Sequence, residues 1–180
     1  MKKIDPVEGL RLINSGPVII VTSGPVEEAN PVTLAWNMVV SKKPPLAAFA
    51  LVPTRHSHKL IMENSEFVIN IPGSDLLKAV MVCGTRSGRD GDKFGPAGLT
   101  AVPAETVNTA YITECPARLE CALYKQFTTG DHSIIVGGVL AAFADEEAFD
   151  GNWKLNSPRS RTLHHLGGEK FGILNEWVKA

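Results

Sequence analysis

Short apolar runs, most of them rich in β-branched residues, alternate along the chain with clusters of Gly, Pro, Asn and Ser. Such runs, bounded by turn residues, predict strands. The strand candidates are PVIIVTSG (17–24), PVTLAWNMVVS (31–41), LAAFALV (46–52) and EFVINIP (66–72). Pro44 and Pro45 stop the second of them, because proline cannot donate to a ladder. ARLECALYKQF (117–127) alternates with period two. Ala117, Leu119, Cys121 and Leu123 share one face, with Arg118, Glu120 and Tyr124 on the other. HSIIVGGVLAAFA (132–144) is a second long strand, and TTGDH (128–132) reads as the hairpin turn between the two.

Three segments predict helices instead. In DPVEGLRLINSG (5–16), Asp5 caps, Pro6 suits the first turn, Glu8 completes a capping-box variant and Gly16 ends the helix. SHKLIMENS (57–65) is opened by Ser57, and SDLLKAVMVCG (74–84) is capped by Ser74 and closed by Gly84. Between Thr85 and about Glu105 the chain shows little periodicity, and unstructured stretches of that length are often functional. Strands outnumber helices and follow one another without regular alternation. The pattern therefore predicts a mainly β fold, an antiparallel barrel with a few helices, rather than a doubly wound sheet. A chain of 180 residues suits a single domain, 1–180, with a mixed C-terminal extension over about 150–180.

Composition removes several function classes. Hydrophobic residues make up 44% of the chain, enough for a core, and the formal net charge is −1. That balance argues against a general nucleic-acid binder. No run approaches the roughly 18 apolar residues of a membrane span, and MKKIDPVEGLRL has no apolar stretch of the signal-peptide kind. A cytoplasmic protein that engages neither membrane nor nucleic acid is expected. The three cysteines, Cys83, Cys115 and Cys121, form no CxxC pair, so they read as buried small hydrophobes and no metal site is expected.

Candidate chemistry sits in three clusters. SGRDGDKFG (87–95) concentrates charge on a glycine-rich backbone. An EF-hand reading fails because Phe94 and Ala101 occupy the positions that must supply oxygen ligands. A Walker reading fails because Phe94 follows Lys93 where Ser or Thr is required. An anion-binding loop built on Arg89 and Lys93 and an ordinary solvated turn both remain open. TRHSHK (54–59) places cations, imidazoles and hydroxyls at a predicted helix start, where unpaired N–H groups favour a phosphate; a plain Ser57 cap is the alternative. In NPVTLAW (30–36), Trp36 either walls a pocket for a flat ligand or fills the core.

Taken together, NPVTLAWNMVVSKKPP, RHSHKLIMENSEFVINIP, CGTRSGRDGDKF, ECPARLEC and TGDHSIIVGGV resemble the flavoredoxin branch of the flavin reductase-like, FMN-binding split-barrel family. The resemblance spans about Asn30 to Ala144. It implies the Greek-key, split form of the β-barrel, a homodimer and one non-covalent FMN per subunit near the dimer interface. It implies flavin-contacting positions at Asn30, Thr33, Leu34, Ala35, Trp36 and Ser41, and phosphate contacts from Arg55, Ser57 and His58. It further implies that Lys93 reaches the flavin and that His132 lies close to it, either one a possible tuning group. His164, His165 and Phe171 are candidates for a group over the ring. No protein residue need be a nucleophile, because the flavin N5 carries the chemistry.

Three functions are compatible with these features. One is an oxidoreductase that passes electrons from NAD(P)H, bound transiently, through FMN to flavin, ferric or protein acceptors. Another is an electron carrier serving a redox-protein partner. The third is a split barrel that works as a flavin-free binding module. Hydrolysis has no support, since neither GxSxG nor HExxH occurs.

Overall fold

The computed structural model describes residues 5–13 and 16–179. In chain order its elements are α1 (Pro6–Gly9), β1 (Ile19–Ser23), β2 (Asn30–Leu34), β3 (Asn37–Lys42), β4 (Pro45–Leu51), α2 (His56–Asn64) and β5 (Glu66–Ile71). There follow α3 (Leu77–Thr85), α4 (Phe94–Ala97), β6 (Ala101–Pro103), β7 (Ala110–Ile112), β8 (Ala117–Thr129), β9 (His132–Ala144), β10 (Leu163–Gly167) and β11 (Lys170–Ile173).

Seven strands form one antiparallel sheet in the order β2-β1-β5-β8-β9-β4-β3. Its two edges, β2 and β3, are consecutive in the chain and joined only by Ala35 and Trp36. Cα atoms across a trans peptide are about 3.8 Å apart, so the sheet must curl until its edges lie close together. That is the mainly β architecture expected from the strand pattern, in the split-barrel form that the resemblance implies. It also puts the Ala35–Trp36 junction at the seam.

β1 explains why its sequence is apolar without alternation. All five of its residues are buried. Ile19 and Val21 pack with Phe49, Ile61, Phe67 and Ile135 in one core cluster. Val18 and Ile20 face a second cluster built with Val80, Cys83, Ile112 and Leu163. A strand covered on both faces needs apolar side chains at every position. Gly137 on β9 is required by packing: a Cβ there would lie 2.5 Å from Cζ of Phe67. All three cysteines are buried and unpaired, as expected.

Several local expectations are corrected. Asp5 does cap α1, accepting from the amides of Val7 at 2.8 Å and Glu8 at 3.4 Å. Ser57, however, is not the cap of α2. Arg55 holds that position and Ser57 lies inside the first turn, buried. Ser74 opens a 3-10 turn whose cap is Gly73, and its hydroxyl donates to the Pro158 carbonyl at 3.0 Å. Gly84 does not end α3, which continues to Thr85. The stretch after Thr85 contains α4 and β6 instead of an unbroken loop. The alternation in β8 is interrupted by register shifts between Glu120 and Cys121 and between Leu123 and Lys125. Glu120 is fully buried, covered by the Glu105–Thr106 segment that donates to its carboxylate.

Candidate functional site

Two segments distant in sequence converge beside the seam. The start of α2 supplies Arg55 and His56, with Thr54 just before it. The chain after α3 supplies Arg86, Ser87, Gly88, Arg89 and Lys93. Together they line a cavity of about 320 Å³ with no carboxylate in its wall. Arg89 ties the segments together, donating from its guanidinium to the Thr54 carbonyl at 2.8 Å. Asp92 holds the loop from outside the cavity, accepting from the amides of Phe94 at 2.8 Å and Gly95 at 2.9 Å. The loop is therefore tied down at both ends, with Lys93 buried and the exposed Arg86 and Arg89 at the cavity wall.

Lys93 is only 3% exposed and donates to the Cys83 carbonyl at 3.3 Å. Burial, with a further push from Arg55, lowers its ammonium pKa from the ordinary lysine value. His56 is also pushed below the ordinary imidazole range, by burial first and then by Arg89, Lys59 and Lys93. Behind the cavity, Asn30 of β2 donates to the Ser57 hydroxyl at 2.6 Å, and both are buried. Gly88 packs directly on Asn30, where any Cβ would collide with its side-chain oxygen. A small polyanion is the chemical complement of this wall.

A second cavity, also about 320 Å³, adjoins the first at Gly84, which lines both. Its floor is the end of β2 and the seam, Thr33, Leu34, Ala35 and Trp36. One wall is α3, through Val80, Met81, Gly84 and Thr85. His132 comes from the start of β9, and His165, Gly168 and Phe171 from the β10–β11 hairpin. Thr33 is fixed by donating to the Val80 carbonyl at 2.6 Å. His132 packs on Trp36 with ring centroids 4.9 Å apart, and its Nδ1 lies 2.8 Å from an Asp131 carboxylate oxygen. His165 packs on Phe171 at 5.2 Å. The wall is mostly apolar with a few polar groups at its rim, which suits a flat heteroaromatic ring. Trp36 also borders a larger apolar cavity of about 450 Å³ with Leu10, Ile13, Met38, Phe49 and Ile134. That cavity has no ionisable group in its wall to fix a polar ligand.

The structure thus brings together Thr33, Leu34, Ala35, Trp36 and His132 at one cavity and Arg55 and Lys93 at the other, with Asn30 and Ser57 directly behind. Two residues expected at the site lie elsewhere. His58 turns toward β9, where its Nε2 meets the Ser133 hydroxyl at 3.2 Å, and burial pushes its pKa down. Ser41 is on β3 and lines neither cavity. Of the tail candidates, His165 and Phe171 line the ring-sized cavity, whereas His164 approaches the Thr162 hydroxyl at 3.2 Å.

Sequence reasoning missed His56, Arg86 and the α3 wall. A usable signal existed for the last: Val80, Met81, Gly84 and Thr85 recur at the i, i+1, i+4, i+5 spacing of one helix face. No group of His, Cys, Asp and Glu suited to hold a metal ion occurs among the described residues, and no helix there is long and apolar enough to cross a membrane.

The chain matches a family model described as flavin reductase like domain over residues 11–166. It is 39% identical to an uncharacterised protein of Pyrococcus abyssi over 168 residues, 92% of this chain and 94% of that one. The fold resembles a flavoredoxin of Desulfovibrio vulgaris (Miyazaki F), with a TM-score of 0.87, 24% identity, and coverage of 100% of this chain and 97% of that one. It also resembles an FMN-binding protein of Thermus thermophilus with bound 1-cyclohex-2-enone. There the TM-score is 0.86 and the identity 25%, covering 100% of this chain and 98% of that one.

Proposed function

The chain belongs to the flavin reductase-like domain family, and from that premise we propose that it is an oxidoreductase that binds FMN non-covalently. The observation that carries the reading is the joining of two cavities of opposite character at Gly84, one cationic and one largely apolar. FMN has the matching halves, a phosphate dianion and a flat ring linked by a short polar chain. Arg55, Arg86, Arg89 and Lys93 would hold the phosphate, Trp36 and the α3 wall would take the ring, and Gly84 would face the ribityl chain. The cofactor, when bound, supplies hydride and electron transfer. This chain's residues position it and shield it. Trp36 and His132 would border the ring, with His132 Nδ1 beside the Asp131 carboxylate, and His165 and Phe171 would cover it from the hairpin.

Lys93 supplies a buried cation to the ligand. Lys93→Ala is expected to weaken FMN binding about ten- to a hundredfold, the worth of a charge-assisted hydrogen bond. Fluorescence titration measures this, together with the flavin midpoint potential. Unchanged affinity and unchanged potential would remove Lys93 from the site.

A homodimer is part of the same proposal. Three consecutive residues of the edge strand β3, Met38, Val39 and Val40, are 59%, 79% and 47% exposed. An unpaired apolar edge is a surface for a second chain.

The electron donor decides between two versions of the function. In the first, NADH or NADPH stacks transiently over the ring and is oxidised, with flavin, ferric or protein acceptors downstream. In the second, the protein is a carrier between redox partners, a reading favoured by its flavoredoxin-like fold. Anaerobic addition of NADH, then NADPH, to the FMN-loaded protein separates them. Rapid bleaching of the visible flavin band is expected for the reductase. A band bleached only by dithionite or a redox partner identifies the carrier. Failure to take up FMN at all removes both and leaves a flavin-free binding module.

A further inference from the structure

We propose that His56 is a proton-coupled clamp for the anionic end of the ligand, taking up a proton from solvent as a phosphate dianion enters the cavity. The inference borrows only the ligand's phosphate from the flavin reading. Its basis is the make-up of the wall: His56 stands with Arg55, Arg86, Arg89 and Lys93, and no carboxylate lines the cavity. Gly88 lies close to both His56 and Asn30, leaving no room for a Cβ between them.

The charged groups around His56 are cationic on nearly every side. Lys59 and Glu63 lie on its own helix and are paired with each other at 3.6 Å. Arg89 and Lys93 face it from the loop after α3. Asp92 is engaged with α4 amides. With the cavity empty of anion, burial and these cations disfavour the imidazolium, and only Glu63 opposes them. A dianion in the cavity offsets that positive field and favours the imidazolium. Affinity is then greatest at pH values below the pKa of the free protein, falls as pH rises between the free and the raised bound value, and is level above the bound value. Each unit of separation between the free and bound pKa is a tenfold change in affinity.

Sulfate is the probe of choice, since it stays dianionic across the whole range. The His56 ring protons of the full-length apo protein are followed by NMR from pH 5 to 8, in sulfate and in chloride at equal ionic strength. His56→Gln assigns the signal. Sulfate is expected to raise the His56 midpoint by about one unit or more, while His58, facing Ser133, stays put. In the same range sulfate affinity should fall about tenfold with rising pH for the wild type and stay flat in His56→Gln. A His56 midpoint equal in the two salts, or a pH dependence that survives His56→Gln, overturns the proposal. FMN and riboflavin titrations separate it from the flavin reading. FMN binding with no movement of His56 sinks the clamp alone. Movement of His56 by sulfate in a protein that never binds FMN sinks the flavin reading alone. Riboflavin, lacking the phosphate, should leave His56 unmoved.

Discussion

Glu120→Ala is expected to remove about 3–5 kcal/mol of folding stability, the usual cost of breaking a buried ion pair from one side. Glu120 is fully buried on β8. Its carboxylate accepts from the Thr106 amide at 2.6 Å, the Thr106 hydroxyl at 2.7 Å, the Glu105 amide at 3.1 Å and Arg118 Nε at 3.0 Å. Arg118 in turn lies 3.8 Å from the ring centroids of both Tyr111 and Phe143 and pairs with Glu105 at 2.8 Å. Alanine would leave the Glu105 and Thr106 amides without their acceptor and Arg118 with only an exposed partner. Denaturant unfolding reads the loss as a lower midpoint. Glu120→Gln keeps the shape and should cost less, about 1–3 kcal/mol.

The same residue fixes an acid limb. Burial pushes the Glu120 carboxyl up, but the hydrogen bonds from Thr106, Arg118 and Glu105 outweigh it and hold the pKa below the ordinary glutamate value. A carboxyl depressed in the folded state contributes stability that is present above its unfolded pKa. That contribution is lost as pH falls through the folded one. Wild-type stability should therefore decline from about pH 5 downward, and the Glu120→Gln curve should be flatter over the same range. Parallel curves would show that the carboxylate is not the group responsible.

Glu120 also marks where the sequence stops being legible. Period-two alternation correctly made β8 a strand and correctly set Glu120 opposite Leu119. It could not show that the polar face would be roofed by the chain around Thr106, because that contact joins residues 14 apart through a segment with no periodicity of its own. The ring-sized cavity was half legible. Thr33 to Trp36 lie on one continuous stretch, and His132 opens a strand whose turn was plain from TTGDH. The cationic cavity was legible as two charged clusters but not in its inward-facing members. The expected cap is Ser57 and the one found is Arg55, two residues earlier, which shifts each position of the RHSH segment by about 200° around the helix axis. With Arg55 as the cap, His56 lines the cavity and His58 turns to Ser133. A helix boundary is uncertain by a residue or two from sequence, and here those two residues decide which imidazole lines the cavity. The curl of the sheet, in contrast, follows from connectivity: two residues cannot join opposite edges of a flat sheet.

Gly88→Ala should abolish most of the affinity for FMN while leaving the fold intact. The added methyl would overlap the side-chain oxygen of Asn30 and come within 3.0 Å of His56 Cδ2. Two relaxations are open. Asn30 can swing away, abandoning the hydroxyl of Ser57, which is only 2% exposed and receives the Asn30 amide at 2.6 Å. Or the loop can lift, drawing Arg89 off the Thr54 carbonyl and spreading the cations that face the phosphate. Lifting is cheaper for the fold, because the loop is exposed around Arg89 and Asp90, and it is the costlier for binding. Affinity depends on cations already held in place, so a loss of about tenfold to a hundredfold is expected, equivalent to about 1.4–2.8 kcal/mol. Riboflavin binding should change far less. Asn30→Ala supplies the decisive comparison, since it removes the atom that the methyl strikes. If the collision is the cause, the double variant binds FMN better than the sum of the two single losses predicts, by about 1 kcal/mol or more of coupling. Strict additivity would mean that Gly88 acts through loop flexibility, and that the packing of this glycine on Asn30 is incidental to binding.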